Sequence, residues 1–66
     1  MGLEDKQLYE VTLVSGEVTL ARYYEKMVAL NDRSGFELRG ARFCEENVVA
    51  TCQKITEAKA QEKYGY

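Results

Sequence analysis

Residues 10–20 read Glu-Val-Thr-Leu-Val-Ser-Gly-Glu-Val-Thr-Leu, so one tetrapeptide, Glu-Val-Thr-Leu, occupies residues 10–13 and again residues 17–20. Both copies are rich in β-branched residues and alternate polar with apolar side chains, a pattern typical of strands with one buried face. The Ser15-Gly16 pair between them favours a tight turn. The repeat therefore predicts a β-hairpin with a two-residue loop.

A two-residue loop fixes the register of this hairpin. Leu13 would lie opposite Val18, and Thr12 opposite Thr19. Each strand would then turn its apolar residues to the same side. The predicted apolar face consists of Tyr9, Val11, Leu13, Val18 and Leu20, and the predicted polar face of Glu10, Thr12, Glu17 and Thr19. A slip of one residue would turn apolar side chains toward water, so the agreement between the two strands supports this register.

The segment after the hairpin, residues 21–30, fits two structures. As a helix it would have one apolar face, and as a strand its alternation breaks at residues 24–26. Because the hairpin already includes residues up to Arg22, we favour a strand, a bend and a second strand. Residues 31–35 then have the composition of a turn.

The remaining part of the sheet is predicted from residues 36–55. Residues 36–43 alternate as a strand, with room for a bulge at Gly40. Residues 44–47 predict a tight turn or one 3₁₀ turn. Residues 48–55 predict the last strand, although a helix with four apolar residues on one face remains an alternative.

These segments define the predicted domain organisation. Residues 1–6 form a flexible N-terminus, residues 7–55 a single β domain, and residues 56–66 a polar tail that is either a short helix or disordered. Five short strands in so short a chain favour a small five-stranded antiparallel barrel, because an open sheet would leave one face wet and its edges exposed.

This strand order resembles that of the small barrels of Sm-like RNA-binding proteins and of Src-homology-type adaptor domains. The likeness covers residues 8–55 and rests on three segments that stand where Sm-like proteins place comparable elements. They are Leu13-Val14-Ser15-Gly16, Tyr24-Glu25-Lys26-Met27 and Leu38-Arg39-Gly40. Glu-Lys-Met-Val at residues 25–28 replaces the Asp-x-x-Asn of that family, and Ala-Arg-Phe at residues 41–43 replaces its polar residues. The resemblance therefore implies a fold pattern and no activity.

The composition excludes several classes of function. The 66 residues include no histidine, so the commonest general base and the commonest metal ligand are missing. Ser15 and Ser34 have no base to activate them and are better explained as turn residues. The glycines lack any phosphate-binding spacing. We therefore expect no enzyme, no cofactor and no small-molecule substrate.

The charge and hydropathy of the chain bear on its partners and location. The formal net charge is −2, which argues against a protein that coats duplex nucleic acid. No stretch approaches the roughly 20 apolar residues that cross a bilayer, and residues 1–6 do not resemble a signal peptide. These features predict a cytoplasmic protein without a membrane partner.

Two cysteines, Cys44 and Cys52, complete the list of reactive groups. Their spacing is neither that of a Cys-x-x-Cys motif nor that of a disulfide framework. Two thiolates without histidine would leave a tetrahedral zinc site half empty. We therefore expect no metal and interpret both cysteines as small apolar core residues.

Aromatic residues interleaved with arginine supply the candidate binding surface. Tyrosine and arginine are enriched where protein interfaces bind most tightly, and both also suit single-stranded nucleic acid. The predicted register places Tyr23 on the outer face beside Leu8, as an exposed pair. The candidate partner-binding residues are Leu8, Arg22, Tyr23, Arg39 and Arg42. The alternative is that Tyr24 and Phe43 close the ends of the core while the arginines are merely solvated.

Three hypotheses for function follow. The first is a small non-enzymatic module that binds a larger protein, as an adaptor or as an inhibitor or regulator. The second is an Sm-like homo-oligomeric ring that binds single-stranded RNA or DNA and pairs edge strands between subunits. The third is a structural subunit that folds only within its complex.

Overall fold

The computed structural model describes residues 2–65. Five strands form one antiparallel sheet, with a 3₁₀ turn in two of the connections and a short helix after the last strand. The elements are β1 (Leu8–Leu13), β2 (Val18–Met27), a first 3₁₀ turn (Val28–Leu30), β3 (Arg33–Leu38), β4 (Arg42–Glu45), a second 3₁₀ turn (Glu46–Val48), β5 (Val49–Lys54) and α1 (Glu57–Tyr64). The prediction of five antiparallel strands is confirmed. Met1 and Tyr66, which belong to the predicted flexible N-terminus and polar tail, lie outside the described residues.

The order of strands across the sheet is β4-β3-β2-β1-β5. The predicted barrel would require β4 and β5 to pair with each other, but they are the two outer strands and the sheet is not closed. A single 3₁₀ turn, residues 46–48, connects them. The sheet stays open, and α1 packs against one of its two faces.

The predicted hairpin forms, but its register is wrong by one residue. Thr12 lies opposite Val18 and Val11 opposite Thr19. The backbone N–H of Leu13 donates to the carbonyl of Glu17 at 2.8 Å, which makes the loop three residues long. Such a loop has its last residue in the left-handed region, and Gly16 has φ +97° there.

The shifted register exchanges the faces of β2. Val18, predicted to lie in the core, is 55% exposed, whereas Thr19 is buried opposite Val11. Leu20 turns to the second face, where it would be exposed in a bare sheet but is buried beneath α1. The exposure of Val18 is offset by the burial of Leu20, a larger apolar side chain.

The region after the hairpin is a strand through Met27, as favoured over a helix, but the second strand predicted after the bend is wrong. The register of β2 against β3 shifts between Tyr24 and Met27, and residues 28–30 then form a 3₁₀ turn. Asn31 and Asp32 complete the reversal at φ +55° and +63°. These two residue types tolerate left-handed backbone better than other non-glycine residues do.

The predicted strand over residues 36–43 is wrong, because the chain reverses within it. Gly40 and Ala41 have φ +82° and +59°, and they turn β3 back into β4. The two strands of this hairpin approach closely at Gly35. A Cβ atom at that position would lie 2.6 Å from the carbonyl oxygen of Cys44, so only glycine fits there.

One face of the sheet, which we call the core face, holds the main hydrophobic core. Phe36 lies at its centre, with its ring edge-on to Tyr9 at 6.2 Å and to Tyr23 at 5.3 Å between ring centroids. Such aromatic pairs add about 0.5–1.5 kcal/mol beyond the area that they bury. The buried residues of the core face are Tyr9, Val11, Leu13, Ala21, Tyr23, Phe36 and Leu38.

The opposite face, which we call the helix face, is covered by α1. Leu8, Leu20 and Ala60 are buried together there. The helix begins at Thr56, whose Oγ1 accepts a hydrogen bond from the Lys59 N–H at 3.2 Å. Of the two structures predicted for the tail, the helical one is confirmed.

Candidate functional site

A groove of about 320 Å³ opens on the helix face, beside α1 and above β2 and β3. Its floor is formed by Leu8 and Leu20, which are almost completely buried. Its rim carries Arg22 and Arg39, together with Glu37 and the backbone of the β3–β4 turn. We call this the arginine groove. An apolar floor with a few charged groups at the rim is typical of binding sites.

Arg22 is held in place at the rim of the arginine groove. It lies opposite Leu8 on one neighbouring strand and opposite Glu37 on the other. Its Nη1 donates a hydrogen bond to the Lys6 carbonyl at 2.8 Å. The guanidinium of Arg22 is therefore positioned by the chain itself.

Arg39 has a different environment. Its guanidinium lies over the ring of Tyr64, with Cζ 5.8 Å from the ring centroid. Arg33 and Arg42, by contrast, are each paired with a carboxylate at 2.6 Å. Among residues 2–65, Arg39 is the one arginine whose guanidinium has neither a carboxylate nor a carbonyl partner. Its hydrogen-bond donors remain available to a ligand.

The ring beneath Arg39 is itself fixed to the sheet. The Tyr64 hydroxyl donates to the carboxylate of Glu10, and this hydrogen bond raises the pKa of the Tyr64 phenol. Lys63 Nζ lies 2.7 Å from the same carboxylate. The Lys63 and Tyr64 hydrogen bonds lower the pKa of Glu10, which keeps it ionised at neutral pH. The end of α1 thus gives Arg39 a stable platform.

Three of the five predicted binding residues, Leu8, Arg22 and Arg39, come together in the arginine groove. The expectation that Leu8 and Tyr23 form an exposed pair is wrong, because the two residues lie on opposite faces of the sheet. Leu8 is buried and contributes only to the floor. Tyr23 lies in the core, where burial raises the pKa of its phenol, and its hydroxyl is 3.3 Å from Glu46 Oε2.

Arg42 lies away from the groove. Arg42 lies in β4, opposite Leu38 of β3. Its side chain donates two hydrogen bonds to the Glu17 carboxylate, at 2.6 and 3.3 Å. This contact lowers the pKa of Glu17 and raises that of Arg42. This ion pair connects the β1–β2 loop to β4. The Arg42 guanidinium, which we predicted to bind a partner protein, is therefore already paired with Glu17.

A second surface, which the sequence analysis missed, adjoins the groove. Its apolar side chains surround a depression of about 260 Å³. Val28 is 88% exposed and Phe43 is 47% exposed, although Phe43 was considered as a residue that closes the core. We call the set Tyr24, Val28, Ala29 and Phe43 the apolar patch. Had Gly40-Ala41 been interpreted as a hairpin turn, Phe43 would have been placed opposite Glu37, on the outer face.

The remaining reactive groups of the described chain are its cysteines and carboxylates. Within residues 2–65, no three His, Cys, Asp or Glu side chains are grouped so that they could hold a metal ion. Burial raises the pKa of the half-buried Cys44 thiol, which disfavours the reactive thiolate. The interpretation of Cys52 as a core residue is wrong, because it is exposed on β5. In the described part of the chain, no helix has the length and hydrophobicity needed to span a membrane.

Comparison of the chain with protein-family models, with curated proteins and with solved structures finds no match. Function must therefore be argued from the arginine groove and the apolar patch themselves.

Proposed function

We propose that this protein is a small non-enzymatic module that binds a larger protein, as an adaptor or regulator, through the arginine groove. The observation that carries the proposal is Arg39, a positioned guanidinium with no acidic partner of its own, above an apolar floor. Such a group binds a carboxylate with two parallel hydrogen bonds. The partner therefore presents an aspartate, a glutamate or a chain-terminal carboxylate to Arg39.

Preorganisation supports this assignment. A surface arginine normally loses side-chain entropy when it binds, and that loss opposes association. The Tyr64 ring already restricts Arg39, so less freedom remains to be lost. The turn that carries Arg39 is also constrained, since Gly40 and Ala41 adopt left-handed backbone. Strained backbone of this kind concentrates at functional sites.

A protein partner is favoured over single-stranded nucleic acid by the charges around Arg39. An arginine stacked on tyrosine also suits a nucleotide base and its phosphate. However, Glu37 shares the rim of the groove, and Glu10 accepts a hydrogen bond from the Tyr64 hydroxyl. These carboxylates, together with a net charge of −2, oppose the many successive phosphates of a nucleic-acid strand more than the single carboxylate of a protein partner.

The test is selection of binding peptides from a displayed library of random dodecapeptides, followed by fluorescence anisotropy with the selected peptides. We expect enrichment of aspartate or glutamate, and loss of about tenfold or more in affinity for Arg39→Ala, the scale of an interface hot spot. Arg33→Ala is the matched control, because Arg33 is an exposed arginine already paired with Glu45. It should leave the affinity unchanged.

Two outcomes would overturn the proposal. One is that no peptide is enriched, or that the enriched peptides bind Arg39→Ala as tightly as the natural chain. The other is that a labelled single-stranded oligonucleotide binds at Arg39 with an affinity that falls steeply as salt rises. That second result would establish the nucleic-acid hypothesis instead.

A further inference from the structure

We infer that the binding site has two parts, and that its partner is an extended segment with an acidic residue for Arg39 and a large apolar residue for the apolar patch. This inference rests on the proposed function, because it takes the arginine groove as one half of the site. It adds the second half, and it specifies the sequence that the partner must carry.

The two parts are continuous. Glu37 lines both the arginine groove and the depression of the apolar patch. It lies opposite Phe43 and opposite Arg22, so all three side chains are on the helix face. Arg39 is two residues beyond Glu37, which corresponds to about 7 Å along an extended chain. One short segment of a partner can therefore reach both parts.

No element formed by residues 2–65 covers the apolar patch. Phe43 and Val28 are the exposed large apolar side chains on this face near β4, and the depression between them is bordered mainly by apolar surface. Removal of apolar surface from water is favourable in proportion to the area buried. An apolar side chain of the partner that fills the depression gains this free energy against Phe43 and Val28.

The arrangement of charge selects the residues on either side of that apolar group. Arg39 borders the groove, Lys26 borders the apolar patch, and Glu37 lies between them. Within the described chain Lys26 makes no ion pair. A partner carboxylate is attracted to either end and repelled from the middle. The complementary pattern is acidic, apolar, acidic, with the apolar residue above Glu37 and Phe43.

The spacing of the two parts favours an extended partner over a helical one. In an extended segment, residues two positions apart project to the same side at a separation of about 7 Å. That separation matches the distance along the chain from Glu37 to Arg39, and Phe43 lies opposite Glu37. Alternate residues of the segment therefore meet the site, which sets the acidic and apolar residues two positions apart.

The experiment repeats the dodecapeptide selection on three proteins: the natural chain, Phe43→Thr and Val28→Ser. Circular dichroism first establishes that each variant is folded, and Val28 lies on an exposed turn where a serine can be accommodated. On the natural chain we expect an acidic residue and a large apolar residue two positions apart. On Phe43→Thr and Val28→Ser, the apolar preference should disappear while the acidic one remains.

Binding measurements then separate this inference from the function on which it rests. A selected peptide should lose about fivefold or more in affinity for Phe43→Thr and for Val28→Ser, the loss expected when one apolar contact is removed. Val18→Ser is the matched control, since Val18 is also an exposed valine but lies outside the patch. Selected peptides that depend on Arg39 but tolerate both patch variants would overturn the two-part site and leave the proposed function standing. Peptides that ignore Arg39 would overturn both.

Discussion

The two faces of β1 are both buried, but in different ways. On the core face, Val11 is enclosed by side chains from the sheet itself, with three aromatic rings in edge contact nearby. On the helix face, Leu8 and Leu20 are covered by a helix of eight residues that buries one alanine. The difference indicates that the core face carries most of the stability. The helix face, whose cover is partial, leaves room for the arginine groove.

The largest loss of stability is expected for Phe36→Ala, which tests whether the core face dominates. Phe36 is 1% exposed and contacts both buried tyrosine rings of the core face. Truncation of a buried phenylalanine costs about 3–5 kcal/mol, which is most of the stability of so small a domain. We expect the variant to be largely unfolded by circular dichroism at 25 °C. A cooperative urea transition close to that of the natural chain would show that the core face does not dominate.

A smaller effect is expected on the helix face, from Tyr64→Ala. This change removes a half-buried ring, its hydrogen bond to Glu10 and the platform for Arg39. We expect a loss of about 1–2 kcal/mol in urea unfolding, within the range for one hydrogen bond and partial apolar burial. Tyr64→Phe is the control, because it keeps the ring and removes only the hydroxyl. A loss as large as that of Phe36→Ala would make the two faces equivalent.

A substitution in the β3–β4 turn should stabilise the fold, whereas the two substitutions above destabilise it. Ala41 is not a glycine, yet it has φ +59°, and left-handed backbone costs an alanine roughly 1 kcal/mol. We therefore expect Ala41→Gly to stabilise the fold by about 0.5–1 kcal/mol, less any entropy that glycine gains in the unfolded chain. It should also weaken peptide binding at Arg39 by loosening the turn. A destabilised variant would argue against stored strain at this site.

The smallest expected effect is the pH dependence of stability that comes from Glu10. The Lys63 and Tyr64 hydrogen bonds lower the pKa of Glu10 in the folded chain. The ionised Glu10 carboxylate therefore stabilises the fold when the pH is above 4.5, the ordinary pKa of this group. That contribution is lost as the pH falls through the lowered pKa. The melting temperature of Glu10→Gln should therefore lie below that of the natural chain at pH 7, and the gap should narrow below pH 4.5. Glu62→Gln, at a helix position without an ion pair, should show no such gap.

The sequence predicted the elements of the fold better than their register. Alternation located the hairpin, the bend in β2 and the last strand, because each depends on local residue pattern. Ser15-Gly16 is compatible with loops of two and three residues, because a two-residue type I′ turn and the observed three-residue loop both place Gly16 at positive φ. The composition of residues 56–66 looked too polar to bury, but Ala60 and Tyr64 lie one helical turn apart and cover Leu8 and Leu20.

The candidate site was predictable in composition and not in geometry. The interleaving of arginine with aromatic residues singled out Arg22 and Arg39 as candidates, and the structure places both beside one groove. Nothing local distinguishes Arg39 from Arg42, however, because the carboxylate that pairs with Arg42 comes from Glu17, on another loop. The apolar patch was missed for the same reason, since its members are brought together by the turn at Gly40 and by the bend in β2.

One feature of the sheet has a consequence for how the protein is made. β1 lies between β2 and β5, so the first strand to leave the ribosome waits for the last before both its edges are paired. At about 5–20 residues per second, the delay amounts to a few seconds. During that time the β1–β2 hairpin holds an unpaired edge next to its uncovered apolar face, which is the state most prone to aggregate. Synthesis speed and chaperone supply should therefore affect the yield of folded protein.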